Sequence, residues 1–329
     1  MNSFSRTARA HANIALIKYW GKRHIPLNLP AVGSISLTLE ALTTTTTVSF
    51  SPNLDGDSLF LNDIRANDKQ GKRVFEFLDR IRGLANISHY AAVRSENNFP
   101  TGAGLASSAS GFAALAVAAA GAARLDLPST KLSELARLGS GSAARSIFGG
   151  FVEMHLGEEE DGSDAIATQI ENKDYWPLEL LILITSTEHK KIGSTEGMNR
   201  TAETSPFYQQ WVDTGPKDMR AMKDAISSKD FSYLGELTEY SCLKMHALAM
   251  AANPGIIYWN PLTMRLIETV REMRAGGLEA YFTIDAGPQV KVICKPEDSE
   301  QLRAKLREIP GIKSILHTRL GGPAKLLDS

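Results

Sequence analysis

The stretch that most restricts how this chain can fold is Pro100 to Ala123, PTGAGLASSASGFAALAVAAAGAA. A run of small residues, Gly102, Ala103, Gly104, Ala106, Ser107 and Ser108 with Leu105 among them, opens directly into an alanine-dominated helix with almost no side-chain bulk. Glycines let a backbone turn tightly and approach a ligand, and the helix N-terminus behind them supplies unpaired N–H groups and partial positive charge. Ser107 and Ser108 add hydroxyls that can reach a phosphate or a metal ion. The spacing is neither GxxxxGK[ST] nor GxGxxG. Read alone, it serves equally well as a tight turn before a closely packed helix, so the surrounding chain has to decide.

Upstream, Ser5 to Trp20 reads as a strand whose apolar positions are interrupted by Asn13, Lys18 and Tyr19, and Lys22 and Arg23 follow at once. Ser34–Glu40, Thr44–Ser51 and Ser58–Asn62 have the alternation and β-branched content of three further strands. Lys72 to Arg82 has helical spacing, with Val74, Phe77, Leu78 and Ile81 on one face. Ala91 to Glu96 is the strand that delivers the chain to the glycine stretch. Strand, small-residue loop and helix in that order supply the context a phosphate loop requires.

Downstream, a helix over Leu132–Leu138 runs into a second small-residue segment, Gly139-Ser140-Gly141-Ser142-Ala143-Ala144-Arg145-Ser146, and Phe151–Leu156 is a strand. Held at both ends, this segment can donate Ser140 and Ser142 hydroxyls to an anion, with the Arg145 fork one turn later. Leu178 to Thr185, LELLILIT, is a buried strand, and a domain transition is placed just before it, dividing the chain at 177/178. Lys190 to Thr195 precedes helices over Ser205–Ser227, Phe231–Met250 and Pro261–Ala275. Strands Glu279–Ile284 and Val290–Cys294 flank the turn that starts at Asp285; a helix Asp298–Ile309 and a tail from Thr318 close the chain. A carboxylate at a strand end beside a Gly-Pro turn is either an Asx-turn former or an acid presented to a cleft.

Composition narrows the function classes. The 329 residues suffice for one large or two ordinary domains, and 43% hydrophobic with 22% charged residues is a globular balance. A net charge of -1 argues against charge-driven binding to nucleic acid or to a membrane, while leaving a local basic pocket open. Cys242 and Cys294 are the two cysteines, with no CxxC, so neither a disulfide framework nor a cysteine zinc site is expected and a reducing cytoplasm fits. The longest apolar stretch, Gly111–Ala123, is too short to span a bilayer.

The segments ANIALIKYWGKR, LNLPAVGSISLTL, ENNFPTGAGLASSASGFAALA, GSGSAARSIFGGFVEM and YFTIDAGPQVKV resemble, in the same order over Ala10 to about Cys294, those of the mevalonate diphosphate decarboxylase family of the GHMP kinase superfamily. The resemblance implies an α+β chain of the GHMP kinase fold. Its N-terminal α/β domain would be ribosomal-protein-S5-like and its C-terminal α+β domain ferredoxin-like, with the site between them. It implies ATP and Mg²⁺, mevalonate 5-diphosphate as substrate, and a homodimer. By matching motif, Asp285, Lys18 and Arg145 are the expected catalytic residues; Tyr19, Lys22, Ser140, Gly141, Ser142, Ser194 and Thr195 line the substrate; and Gly102 to Ser108 cradle ATP, with Ser108 on the metal. A mevalonate 5-phosphate decarboxylase, a 3-hydroxyl kinase of the same frame and a catalytically silent binding protein are the alternatives. Such an activity needs no pyridoxal or thiamine: phosphorylating the C3 oxygen turns hydroxide into a good leaving group, and its departure pulls in the electrons of the C–CO2 bond.

Overall fold

The structure is a computed structural model describing residues 4–99, 105–188 and 190–328. In chain order its first part contains β1 (Phe4–Ile17), β2 (Lys22–His24), β3 (Leu29–Pro30), β4 (Ser34–Ser51), β5 (Ser58–Leu61), β6 (Ile64–Arg65), α1 (Asp68–Ala85), β7 (Tyr90–Asn97), α2 (Ser107–Ala122) and α3 (Ser129–Gly139). A 3-10 helix over Gly141–Ile147, β8 (Phe151–Met154) and β9 (Ala167–Glu171) follow. The second part contains β10 (Glu179–Ile184), α4 (Ser194–Thr204), α5 (Tyr208–Ser228), α6 (Phe231–Met250), α7 (Pro261–Ala275), β11 (Ala280–Ile284), β12 (Val290–Cys294), α8 (Pro296–Arg307), β13 (Ser314–Arg319) and β14 (Lys325–Leu326).

The first sheet runs β14-β1-β4-β7-β5-β6, with β8 and β9 continuing from the other end of β4. Ser34–Glu40 and Thr44–Ser51 prove to be one strand rather than two. Both halves pair with β1, whose register shifts between His11 and Asn13, and no Gly, Pro or Asn lies between them to turn the chain. The first half then takes β8 as its second neighbour and the other half takes β7. Against this sheet lies α2, whose alanines are almost all buried. Because alanine adds so little bulk, the α2 backbone can sit close to β1 and β4.

The second sheet, β11-β12-β10-β13, is antiparallel throughout. It explains the continuous apolar run in β10: Leu180, Ile182 and Ile184 pack toward the first sheet with Ile14, Leu16, Ile35 and Leu37, while Leu181 and Leu183 pack on the opposite face with Leu266, Val270 and Leu302 of α7 and α8. A strand covered on both faces loses the alternation of a half-exposed one. An aromatic series bridges the two sheets: Phe151 stacks on Trp176 at 6.2 Å, Trp176 meets Phe231 edge-on at 6.4 Å, and Phe231 meets Tyr281 at 5.5 Å.

Further elements depart from the sequence reading, among them strands β9 and β13, which it did not anticipate. Ser194–Thr204 forms α4, although its apolar residues are too few to show a helical stripe; what it buries is Gly197, Met198 and Thr201. The tail is also not a loose end. Beyond β13, Lys325 and Leu326 return to the first sheet and pair with Arg9 and Ala8 of β1.

Helix α6 lies between the sheets, and its Gly235 is packed so tightly on Tyr281 that an added Cβ would stand 2.1 Å from the ring. Gly235→Ala should therefore destabilise the protein by about 1–3 kcal/mol despite alanine's better helix propensity. Chemical denaturation with an unchanged m-value would check this; a stability equal to the parent's would contradict the packing.

Candidate active site

The first and second sheets each end one strand at the same place. β1 finishes at Ile17 and hands on Lys18; β11 finishes at Ile284 and hands on Asp285. Lys18 is 1% exposed, and its Nζ donates to Asp285 Oδ1 at 2.9 Å. The other carboxylate oxygen, Oδ2, lies 3.6 Å from Nζ of Lys291 on β12, a lysine equally removed from water. Burial alone would push the Asp285 carboxyl up; the charges of Lys18 and Lys291, the Lys18 hydrogen bond and the nearby Arg145 charge outweigh it and hold the group at about 2. Asp285 is thus an anion fixed between two ammonium groups, its side chain still 26% exposed to the cleft.

Arg145 comes from the 3-10 helix and is itself buried. One terminal nitrogen donates to Ser34 Oγ at 2.6 Å and the other to Asn13 Oδ1 at 3.1 Å. Asn13 is oriented in turn, its amide donating to Ser146 Oγ and the Ser142 carbonyl. Among the described residues Arg145 Nε has no partner. Burial draws the guanidinium down to about 10, against the opposing pull of Asp285 and Tyr19, so it stays charged at neutral pH. Its carbon lies 6.0 Å from the centre of the Tyr19 ring. The Tyr19 hydroxyl, also buried and without a hydrogen-bond partner among the described residues, sits over Gly141, where an added Cβ would come within 2.3 Å of the phenol oxygen. Glycine at 141 is what lets the phenol lie flat on the segment.

These groups form the floor of a cavity of about 1150 Å³. One wall combines Lys22, whose Nζ donates to Asn28 Oδ1 at 2.6 Å, with Arg73 of α1, which donates to the Gly139 carbonyl at 2.7 Å. Burial, then the neighbouring Arg73 charge, lowers the Lys22 amine to about 8. The opposite wall is the start of α4: Lys190 Nζ donates to Ser194 Oγ at 2.8 Å and to the Ala286 carbonyl at 3.2 Å, and Thr195 stands exposed beside it. The far end is the beginning of α2. There Ala106 takes the N-cap position with φ 56° and offers no side-chain cap, so among the described residues no side chain caps the N–H groups of Ser107 and Ser108. Ser107 and Ser108 face the cavity and Ser140 Oγ reaches Ser108 Oγ at 3.4 Å.

Every described residue expected at the site, Leu105 to Ser108 included, lines this one cavity. Gly102, Ala103 and Gly104 lie outside the described residues. Asn13, Arg73 and Lys190 line the cavity without having been expected there, and Ser34 and Lys291, also unexpected, hold Arg145 and Asp285 from outside the lining. Asn13 and Lys291 had a signal in the sequence, a polar residue within an otherwise apolar strand; Ser34 and Arg73 had none, since only the folded chain brings Ser34 to Arg145 and a face of α1 to the cleft. Among the described residues no cluster of His, Cys, Asp or Glu is suited to hold a metal on its own. A cation carried in by phosphate oxygens, with the Ser108 hydroxyl beside it, fits this donor set better than a site made wholly of protein ligands.

The mixed α+β architecture is that of the GHMP kinase fold, as its match to solved mevalonate diphosphate decarboxylase structures shows. Residues 10–167 match the diphosphomevalonate decarboxylase-like N-terminal domain, and residues 180–324 the mevalonate 5-diphosphate decarboxylase C-terminal domain. The diphosphomevalonate decarboxylase of Ganoderma lucidum is 39% identical over 324 residues, spanning 92% of this chain and 81% of its own. The mevalonate diphosphate decarboxylase of Enterococcus faecalis superposes with a TM-score of 0.92 at 43% identity, over 100% of both chains. A complex of MDDEF with MVAPP, AMPPCP and magnesium superposes with a TM-score of 0.93, likewise at 43% identity over 100% of both. The chain belongs to the mevalonate diphosphate decarboxylase family.

Asp285→Asn removes the anion and leaves two buried ammonium groups facing a neutral amide. Since the folded carboxyl is held below its usual value of 3.8, its contribution to stability is fully present above that value and is lost as the pH falls through about 2. The variant should be less stable by about 3 kcal/mol at neutral pH, the lower end for a buried pair that loses one partner. The gap to the parent should close as the pH approaches 2, which urea titrations at a series of pH values would follow; a gap independent of pH would contradict the pairing.

Proposed function

We propose that this chain catalyses the ATP-dependent decarboxylation of mevalonate 5-diphosphate to isopentenyl diphosphate, carbon dioxide, ADP and phosphate. The observation that carries the reading is the buried Lys18–Asp285 pair, with Arg145 beside it, at the floor of a cationic cavity in a chain of this family. ATP and Mg²⁺ are its cofactors. Magnesium, when bound with ATP, draws charge from the phosphates as the γ-phosphoryl group moves.

The protein's own part is orientation and charge. Asp285, held at about 2, is too weak a base to keep a proton at neutral pH, so it accepts a hydrogen bond from the C3 hydroxyl and aims that oxygen at the γ-phosphorus. Lys18 fixes the carboxylate and offsets the negative charge arriving with the phosphoryl group. As the O3–P bond forms, the bond from the γ-phosphorus to the bridging oxygen breaks with its electron pair leaving on ADP, and the hydroxyl proton passes along the Asp285 carboxylate to solvent. The C3–O3 bond then breaks with its electron pair on the departing phosphate. The C1–C2 pair becomes the C2–C3 double bond, and C1 leaves as carbon dioxide. Arg145 has one guanidinium nitrogen without a partner among the described residues and is otherwise locked by Ser34 and Asn13, which suits it to hold the substrate carboxylate while that bond is aligned. Lys22, Arg73, Ser140, Ser142, Ser194 and Thr195 are placed for the 5-diphosphate, and Ser107 and Ser108 for ATP.

The test is a coupled ADP-release assay with carbon dioxide trapping, run on mevalonate 5-diphosphate, the 5-phosphate and free mevalonate. ADP and carbon dioxide in equal amounts, preferentially from the diphosphate, are expected. ADP without carbon dioxide would replace the reading with a 3-hydroxyl kinase, and preference for the monophosphate with the monophosphate decarboxylase. Asp285→Asn should abolish turnover while ATP binding is retained.

The Lys22 amine yields a second expectation. It is charged below about pH 8 and neutral above, so kcat/KM for the anionic substrate should fall as the pH rises through about 8. In Lys22→Arg that limb should move to higher pH; a limb left in place would assign it to another group.

A further inference from the structure

Strand β11 is the edge of the second sheet, so the backbone groups of Ala280, Phe282 and Ile284 that point away from β12 have no strand to pair with. Helix α6 pairs with them through side chains. The Phe282 N–H donates to Glu239 Oε1 at 3.1 Å, the Ile284 N–H donates to Cys242 Sγ at 3.2 Å, and the Ile284 carbonyl lies 3.3 Å from His246 Nε2. The spacing of three and four residues puts 239, 242 and 246 on one face of the helix. Arg274 of α7 completes the edge by donating to the Ala280 carbonyl at 2.7 Å and grips Glu239 with both terminal nitrogens. The neighbouring residue on α6, Ser241, accepts the Lys18 N–H at 2.9 Å through Oγ. One helix therefore holds the backbone at Lys18 and the backbone one residue before Asp285.

We propose that His246, Cys242 and Ser241 are positioning residues: α6 serves as a side-chain template that sets Asp285 against Lys18, with His246 as the neutral Nε2–H tautomer donating to the Ile284 carbonyl. The inference rests on the assignment of Asp285 and Lys18 to the chemistry. A carbonyl oxygen can only accept, so the nitrogen facing it carries the proton. The surroundings keep the ring uncharged: it is packed between Tyr258 and Trp259, burial and then the charge of Lys18 push it down to about 3, and Asp285 and Lys291 are the remaining charges that face it. Cys242 and His246 touch no part of the cavity, which separates them from the groups that would bind substrate.

The kinetic test compares His246→Leu, which removes the donor, with His246→Gln, whose amide nitrogen can stand where Nε2 does. For a misplacement of the carboxylate by about 1 Å, kcat of the leucine variant should fall about 100-fold while KM for ATP and for mevalonate 5-diphosphate stays within about twofold. The glutamine variant should recover most of the lost rate. Nitrogen-15 spectra of the parent should show His246 as the neutral Nε2–H tautomer from pH 5 to 8. Should the leucine variant not fold, Ser241→Ala decides the same question, with the same selective loss of kcat expected. Unchanged kcat in that variant or in His246→Leu, or a His246 ring protonated on Nδ1, would overturn the template. Asp285→Asn, assayed alongside, keeps the two failures apart. If it stays active, the assignment of Asp285 is wrong; if it is inactive while His246→Leu is unaffected, only the template is wrong.

Discussion

The site depends on a salt bridge whose two ends come from different sheets. Lys18 Nζ and Asp285 Oδ1 meet at 2.9 Å because β1 and β11 run out at the same depth, and that alignment is set by the apolar layer between the sheets. Burying such a pair costs more in lost hydration than it returns in stability unless its geometry is fixed and its remaining hydrogen bonds are made. Here the geometry is fixed by packing remote from the charges: the Phe151, Trp176, Phe231 and Tyr281 series, and the hydrogen bond from Thr283 Oγ1 to the Ala15 carbonyl at 3.4 Å. The pair is thus a result of the fold more than a cause of it.

Much of this was legible in the sequence, because the decisive residues conflict with their surroundings. A lysine inside IALIKYW, an aspartate between TI and AGP, and a glycine–serine run held between a helix and a strand each break a local rule, and departures of that kind concentrate where a protein functions. Three of the four strands of the second sheet, β10, β11 and β12, and the long helices followed from the sequence pattern, while β13 did not. What escaped reading was anything made by a partner distant in sequence. No pattern in α4 marks a helix, since it is a short polar segment that buries small residues against Trp20 and Tyr258. The return of Lys325 and Leu326 to β1 spans more than three hundred residues of chain. Ser241, Cys242 and His246 look like ordinary helix residues, and their hydrogen bonds to β11 and to the Lys18 amide exist only once α6 is docked.

The electrostatics of the cleft invert those of the whole molecule. The chain carries a net charge of -1, yet the cavity is lined by Lys18, Lys22, Lys69, Arg73, Arg80, Arg145, Lys190 and Lys191 against Glu76, Glu196 and Asp285. Burial lowers the amines of Lys22 and Lys190 and the guanidiniums of Arg73 and Arg145 among them, as expected for positive charge gathered where water is partly excluded. A ligand bringing a carboxylate and phosphates supplies anions that match this charge. Binding energy from the diphosphate end can in this way be used to hold the C3 oxygen and the carboxylate in one geometry. The positive charge gathered in the cleft suits a substrate anionic at both ends.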